Sequence, residues 1–289
     1  MEELRKDSFK YLIDQFADIR VMRFRIPGWE DLSLSQKSYA YFLSEAAKWG
    51  RDIYWDQNFK FNLAIRQVLE DILLCGDIDT EDEQYPLFLE YAKRVFFSSG
   101  IHHHYAEDKF FPSCSRDYFS TLVETACSTL NEDRRSFILD VIYSDEKYLQ
   151  RRCTHDDTDA VLGSSVNFYE GVTREEVDRY YDALIDESDP HPVSYGLNSK
   201  VVKDPTGAVV EEVWNISGRY GHAISHICDN LEKASAFCEN EIQKKAISLL
   251  VEYYRTGDLK LWDEYNITWL KDTSCMVDFI NGFILYYRV

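Results

Sequence analysis

The sequence has little proline and glycine, with 6 Pro and 12 Gly among 289 residues. This scarcity argues against a turn-rich β-sandwich and favours long helices. Basic residues are also few, because 32 Lys and Arg stand against 51 Asp and Glu and leave a net charge of −19. Nucleic acids and anionic lipids both select basic surfaces, so neither is an expected partner. No apolar run reaches the ~18 residues of a membrane span, and the chain is not expected to cross a membrane.

The seven cysteines never form a C-x-x-C pair, and their odd number argues against a disulfide framework. We interpret them as reduced apolar side chains. The opening residues, Met-Glu-Glu-Leu-Arg-Lys, are not followed by the apolar stretch that signal peptides contain. Both features predict a cytoplasmic protein. An apolar content of 45%, with 15% aromatic residues, excludes an intrinsically disordered acidic chain.

The first half of the sequence predicts helices separated by acidic loops. Residues 33–36 form a capping box, and the helix that it opens closes at Gly50. A second helix runs from about residue 61 to 75, with an apolar face made of Ile65, Val68, Leu69 and Ile72. Further helices are predicted around 88–95, 116–130 and 133–150.

The second half combines helices with strands. A capping box at residues 173–176 opens a helix that reaches Asp186. Two β-branched runs, 200–203 and 208–214, flank the turn Asp204-Pro-Thr-Gly207 and predict a hairpin. Long helices return over 218–240 and 241–255. The sequence thus predicts a predominantly helical α+β fold with a small mixed sheet, divided into a helical region (1–160) and an α+β region (161–289).

Two groups of histidines invite a metal interpretation. The run His102-His-His104 cannot direct all three rings at one ion, because neighbouring side chains diverge, and a polar loop along a cleft or surface is the other interpretation. His222 and His226 lie one helical turn apart, as in zinc peptidases, but Ala223 occupies the position of the water-activating Glu. A pair satisfied within its own helix is the alternative. The residues alone therefore show no complete catalytic constellation.

Five strings carry a family resemblance. They are 98–112 (SSGIHHHYAEDKFFP), 168–176 (FYEGVTREE), 194–203 (SYGLNSKVVK), 256–262 (TGDLKLW) and 277–283 (VDFINGF). Together they resemble dipeptidyl peptidase III, a family of zinc exopeptidases, in its Bacteroides-like branch. The resemblance is collinear from about residue 10 to 283 and covers the amino-terminal part of the family's sequence.

The resemblance implies one lobe of a larger two-lobed fold, whose small mixed sheet forms part of a β-barrel. The family binds its zinc through an H-E-x-x-x-H motif and a later Glu, both outside the matched region. No His is followed by Glu in this sequence. We therefore expect no cofactor, no metal ligand and no catalytic residue in this chain.

The resemblance also implies two substrate-binding residues. Tyr105 falls where the family has a cleft aromatic residue near the amino-terminal end of the bound peptide. Tyr287 falls where the family has the tyrosine that hydrogen-bonds the substrate backbone and supports the transition state. The match around Tyr287 is imperfect, since Leu285 replaces the Glu that holds the substrate's free amine and Val289 stands where the family pattern continues.

Two functions follow as hypotheses. In the first, the chain is a truncated or stand-alone substrate-binding lobe of a peptidase that removes dipeptides from peptide amino termini. This lobe is inactive alone, and a separate zinc-lobe polypeptide is its expected partner. In the second, it is a non-catalytic interaction protein built on the same lobe. Both hypotheses predict short peptides as ligands. The apolar tail, residues 284–289, has strong strand preference and predicts self-association through a carboxy-terminal strand.

Overall fold

The computed structural model describes residues 9–146, 149–154 and 159–281, of which about half are helical and few belong to its two small sheets. The predicted α+β class is therefore confirmed. No helix in these residues is both long and apolar enough to cross a membrane. The helices are α1 (Leu34–Trp49), α2 (Arg51–Asn58), α3 (Asn62–Leu74), α4 (Tyr85–Ser98), α5 (Arg116–Ala126), α6 (Glu132–Tyr143), α7 (Ala160–Gly163), α8 (Arg174–Asp182), α9 (Gly221–Ser235), α10 (Glu241–Thr256) and α11 (Leu259–Trp269). The strands are β1 (Leu12–Phe16), β2 (Ile19–Met22), β3 (Tyr169–Glu170), β4 (Ser199–Lys203) and β5 (Val209–Val213).

Both predicted capping boxes are present. The Ser33 hydroxyl accepts the backbone N–H of Gln36 at 3.2 Å, and the Gln36 side chain accepts the N–H of Ser33 at 2.8 Å. Thr173 and Glu176 form the same reciprocal pair at the start of α8. Each box satisfies two backbone donors that a helix terminus otherwise leaves without partners, so α1 and α8 begin where the local sequence predicts.

Several other boundaries differ from the prediction. The helix predicted over 133–150 ends at Tyr143, because Ser144 takes an extended conformation. The helix predicted to close at Gly50 does end there, with Gly50 as its C-cap, and α2 follows directly at Arg51 because Gly50 keeps a helical φ of −75°. Helices α2, α7 and α11 and the β1–β2 hairpin are not predicted by the local sequence patterns. Residues 270–281, here called the carboxy-terminal strap, contain neither helix nor strand.

The predicted hairpin is β4–β5, in antiparallel register from Ser199 opposite Val213 to Lys203 opposite Val209. The Asp204 carboxylate accepts the backbone N–H groups of Thr206 and Ala208 and fixes the turn. Strand β3 adds to β4 in parallel, which gives a mixed sheet of order β3-β4-β5. The described strands leave both sheets open and do not close a barrel.

Two large hydrophobic clusters hold the described chain together. The first cluster draws on α2 to α6 and the loops between them, and the predicted apolar face of α3 lies at its centre. The second cluster packs α1 against α9, α10 and α11, and Val277 and Phe279 of the carboxy-terminal strap cover it. The division predicted near residue 160 stays a prediction.

Candidate functional site

The loop that follows α4 presents the first predicted substrate residue. Helix α4 ends at Ser98, and the residue that caps it, Ser99, has a left-handed φ of 53°. At Gly100 the backbone passes so close to Asn62 that a Cβ atom would lie 2.2 Å from the Asn62 amide nitrogen. The same amide donates to the Trp55 carbonyl at 3.1 Å and accepts the N–H of Ile101 at 3.2 Å. Buried hydrogen bonds of this kind fix the start of the loop.

The first of the three histidines points into the protein. His102 is 2% exposed, and its Nε2–H donates to the Leu149 carbonyl at 2.8 Å. The Ser165 hydroxyl lies 3.1 Å from the same nitrogen. Burial lowers the pKa of His102 to about 4, so the ring is neutral at pH 7. His102 is therefore a core residue, and it does not line a surface as the loop interpretation implied.

The other two histidines form the base of a turn. The rings of His103 and His104 stack with centroids 4.5 Å apart. Nδ1 of His103 accepts the backbone N–H groups of Tyr105 at 3.1 Å and Ala106 at 2.9 Å, and Nε2 lies 3.8 Å from the Asp18 carboxylate. Both nitrogens of His103 thus face partners within the protein, and the three histidines do not converge on one ion.

Tyr105 lies at the tip of the turn formed by residues 103–108, called here the Tyr105 turn. Its side chain is 87% exposed. The turn closes through the N–H of His103, which donates to the Asp108 carbonyl at 2.8 Å, and the N–H of Glu107, which donates to the His103 carbonyl at 3.0 Å. Lys109 anchors the exit by donating to the Val141 carbonyl at 2.7 Å. An exposed aromatic ring on a backbone held at both ends is suited to contact a ligand without a large ordering cost.

Strained backbone is concentrated around this turn. Among the described residues, positive φ values outside glycine occur at Ala17 (46°), Ser99 (53°) and Glu107 (67°). Ser99 begins the loop, and Glu107 follows Tyr105 within the turn. Ala17 precedes Asp18, whose carboxylate lies near His103 and also 3.6 Å from Arg94. Such conformations cost about 1–3 kcal/mol each and tend to cluster at functional sites, which makes the turn the candidate functional site.

Tyr287, the second predicted substrate residue, and Leu285 lie outside the described residues. The carboxy-terminal strap leads towards them and is firmly held. The Glu239 carboxylate accepts the backbone N–H groups of Met276 at 2.9 Å and Val277 at 3.0 Å. The Tyr254 hydroxyl donates to the Asn281 side chain at 2.7 Å. The strap therefore delivers the chain to residue 281 in a defined position.

A cavity of about 350 Å³ lies between α1, α9, α10 and the strap, and its walls are mainly apolar. None of its lining residues belongs to the Tyr105 turn. The Nδ2 atom of Asn281 is buried there without a hydrogen-bond partner among the described residues. This cavity belongs to the second hydrophobic cluster and is separate from the candidate site.

The described residues do not fit a catalytic zinc ion. A catalytic site needs three protein ligands around an open position, and no group of three His, Cys, Asp or Glu side chains suited to a metal occurs in the described chain. The rings of His222 and His226 are 4.7 Å apart, and the Trp49 indole stacks on His226 at 3.9 Å. The two imidazoles are thus packed against an aromatic ring, and no reaction step through a metal is derived for these residues.

A buried carboxylate that the sequence analysis did not single out ties the two clusters together. Asp56 of α2 is 3% exposed. It accepts hydrogen bonds from the Tyr220 hydroxyl at 2.5 Å, the Arg219 guanidinium at 3.1 Å and the Asn167 amide at 3.2 Å. Burial and then the Asp56 charge raise the pKa of Tyr220. The one available signal was a short polar run, Asp56-Gln-Asn58, enclosed by the aromatic residues Trp55 and Phe59.

Comparisons with known proteins agree with the family resemblance. The model of "Peptidase family M49" matches residues 193–289. Dipeptidyl peptidase 3 of Nematostella vectensis is 22% identical over 100% of this chain and 45% of its own length. The Homo sapiens protein of the same name is 23% identical over 89% of this chain and 40% of its own length. The chain thus spans less than half the length of these relatives.

Solved structures give the same fold. The structure of DPP III from Caldithrix abyssi aligns with a TM-score of 0.53 and 18% identity, covering 86% of this chain and 35% of that one. The dipeptidyl-peptidase III structure from Corallococcus sp. strain EGB aligns with a TM-score of 0.52 and 16% identity over the same shares.

Proposed function

Because the chain belongs to the dipeptidyl peptidase III family, we propose that these 289 residues supply the substrate-binding lobe of such a peptidase and bind short peptides near their amino termini. The observation that supports this proposal is the Tyr105 turn, an 87% exposed aromatic ring on a strained and fully anchored backbone. Such a ring can stack on a peptide side chain or bond to its backbone through the hydroxyl. Tyr287 is the second proposed contact.

We propose further that the lobe does not cleave peptides by itself. The family is zinc-dependent, and the described residues offer no three-ligand cluster for that ion. A separate polypeptide that carries the zinc lobe is the proposed partner. The seven cysteines are all among the described residues and none of them is in a disulfide, which is consistent with a reducing cytoplasm as the proposed location.

The alternative is a non-catalytic peptide-binding protein built on the same lobe. His222 and His226 are packed together, with Trp49 stacked on one ring. This packing favours a non-catalytic protein over an enzyme that binds a metal through these two histidines. The alternative and the first proposal share peptide binding and differ in one respect. A zinc lobe added in trans restores cleavage only if this chain is part of a peptidase.

Calorimetric titration tests the shared claim. Tetrapeptides with a free amino terminus should bind the chain equally well with and without added zinc, and the same peptides with an acetylated amino terminus serve as controls. Chromogenic dipeptidyl substrates should remain intact until a zinc lobe from a relative is added. Absence of peptide binding would refute both proposals, whereas zinc-dependent cleavage by the chain alone would refute only the claim of inactivity.

A further inference from the structure

The amino-terminal hairpin exposes an unusual amount of apolar surface. Residues 9–26, called here the hairpin segment, contain β1 and β2 paired antiparallel. Phe24 is 72% exposed and Ile26 is 69% exposed. Four more large apolar side chains in the segment exceed 40% exposure: Tyr11, Leu12, Ile13 and Met22. A patch of this kind on a soluble domain usually marks an interaction surface.

The charges of the hairpin segment are sorted between its two sides. Its two carboxylates face α4, where Asp14 lies 2.7 Å from Lys93 and Asp18 lies 3.6 Å from Arg94. Apart from Asp18, which is exposed beside Arg94, its exposed charges are all basic: Lys10, Arg20, Arg23 and Arg25. Neither Arg20 nor Arg23 forms an ion pair within the described chain. A basic and apolar surface on a protein of net charge −19 calls for an acidic partner.

Helix α4 connects this surface to an acidic one. The hairpin segment covers the carboxy-terminal half of one stripe of α4, where Phe16 meets Phe97 edge to face at 6.4 Å. Positions three and four residues apart share a helix face, so the stripe continues through Glu90 to Leu87. The hairpin segment does not reach that far, and Leu87 is 40% exposed. The amino-terminal half of the stripe is therefore open.

The loop that enters α4 has the opposite charge. Residues 77–83, called here the acidic loop, carry five carboxylates, and Asp77, Asp79, Glu81 and Glu83 are exposed. None of the five forms an ion pair with another described residue. Leu74, just before the loop, is 84% exposed and adds an apolar contact. An acidic surface and a basic surface thus lie at the two ends of one exposed helix stripe.

We propose that this face binds a second copy of the same chain around a two-fold axis that crosses the α4 stripe. A two-fold interface requires one patch that is complementary to itself, and here the hairpin segment of each copy meets the acidic loop of the other. The distance along α4 from Tyr85 to Arg94 is about 14 Å, at 1.5 Å per residue, which leaves room for the axis between the two surfaces. This interface is independent of peptide binding and of the tail beyond residue 283.

Sedimentation equilibrium of the full chain tests the proposal through charge reversal. Arg20→Glu combined with Arg23→Glu should weaken the dimer at least about ten-fold, and so should Asp77→Lys combined with Glu81→Lys. The chain with all four changes should regain the dimer, because the charges are again complementary. Lys244→Glu with Lys245→Glu, on the exposed side of α10, is the matched control and should leave the dimer unchanged. High salt should weaken only the natural and the four-fold variant dimers.

The four positions are exposed, and circular dichroism of each variant verifies that it folds. A chain that stays monomeric at every concentration overturns the proposal, as does a dimer that survives both reversals. The proposal is also overturned if the variant with all four charge reversals does not regain the dimer. Deletion of residues 284–289 should leave the dimer intact, and loss of the dimer on deletion would assign self-association to the tail instead. A monomer whose hairpin segment binds acidic peptides would replace the second copy with another partner.

Discussion

The Arg152 guanidinium lies 3.1 Å from the Glu107 carboxylate, and the backbone N–H of Arg152 donates to the Glu107 carbonyl at 3.0 Å. Arg152 is only 1% exposed, and Glu107 is the residue of the Tyr105 turn that adopts the left-handed conformation. One buried side chain and its own backbone therefore hold the strained residue in place. The shape of the candidate site depends on this pair.

We expect Arg152→Met to lower the free energy of unfolding by about 3 kcal/mol, because it leaves the Glu107 carboxylate without its buried counter-charge. Arg151→Met is the matched control. Its side chain is 41% exposed and pairs with Asp108, so the loss should stay under about 1 kcal/mol. Urea unfolding monitored by circular dichroism measures both. Equal losses of unfolding free energy in the two variants would show that water can replace the Arg152 guanidinium beside Glu107 without a cost in stability.

Tyr105→Ala should weaken peptide binding by about 1–2 kcal/mol, or roughly 5-fold to 30-fold, and leave the melting temperature unchanged. The reason is that an 87% exposed ring contributes little to packing. Tyr105→Phe separates the ring from the hydroxyl. Tyr41→Ala, at a tyrosine that is 58% exposed on α1, controls for the loss of any surface tyrosine. Unchanged peptide affinity in Tyr105→Ala would remove this residue from the proposed site.

The buried His102 predicts a pH dependence of stability. Its pKa is about 4 in the folded chain and about 6.5 when unfolded, so between these values the unfolded chain binds more protons. Stability is therefore complete above pH 6.5 and falls as the pH drops towards 4. At pH 5 the loss should be about 2 kcal/mol, from 1.5 pKa units at 1.36 kcal/mol each.

The variant His102→Gln tests this assignment, since Gln keeps an N–H donor for the Leu149 carbonyl but does not titrate. Its unfolding free energy should change less between pH 7 and pH 5 than that of the natural chain. Parallel pH profiles for the two proteins would contradict the assignment to His102.

The Glu239 carboxylate should control how firmly the carboxy-terminal strap is held. Glu239→Ala removes the acceptor for the N–H groups of Met276 and Val277, and both amides should exchange with solvent at least about ten-fold faster. Glu239→Gln keeps one acceptor oxygen, so its exchange rates should lie between those of the natural chain and those of Glu239→Ala. Glu232→Ala, which breaks an exposed pair with Arg255, serves as the control and should not alter exchange in the strap. Hydrogen exchange by mass spectrometry of the peptide that contains residues 270–281 gives the answer, and unchanged protection would show that the strap is held by other contacts.

Local sequence signals predicted the elements whose ends are determined locally. The capping boxes at Ser33 and Thr173 place two helix starts correctly, and the turn at Asp204 places the β4–β5 hairpin. The apolar face of α3 was also readable, because Ile65, Val68 and Leu69 recur at helical spacing and are all buried. In each case the interactions that define the element lie within a few residues of one another.

The features that were missed depend on contacts between distant residues. The sequence of helix α2 shows no apolar stripe at helical spacing, since four successive residues are all buried: Trp55, Asp56, Gln57 and Asn58. The Asp56 carboxylate is satisfied by Asn167, Arg219 and Tyr220, which lie between 111 and 164 positions away. The inward direction of His102 depends likewise on Leu149 and Ser165. Side-chain spacing along the sequence carries no information about such partners.

Because α1 packs in the second hydrophobic cluster, it can be buried only late in the synthesis of the chain. The first cluster is built from residues 55–149, so it can close soon after residue 149 has left the ribosome. Helix α1 precedes that cluster in the chain but packs against α9 to α11 and the strap, which end at residue 281. At a translation rate of about 5–20 residues per second, α1 waits on the order of ten seconds for its partners. During that interval its apolar side chains, with Tyr39 and Ala46 at their centre, are available to chaperones, whereas those of the first cluster are already covered.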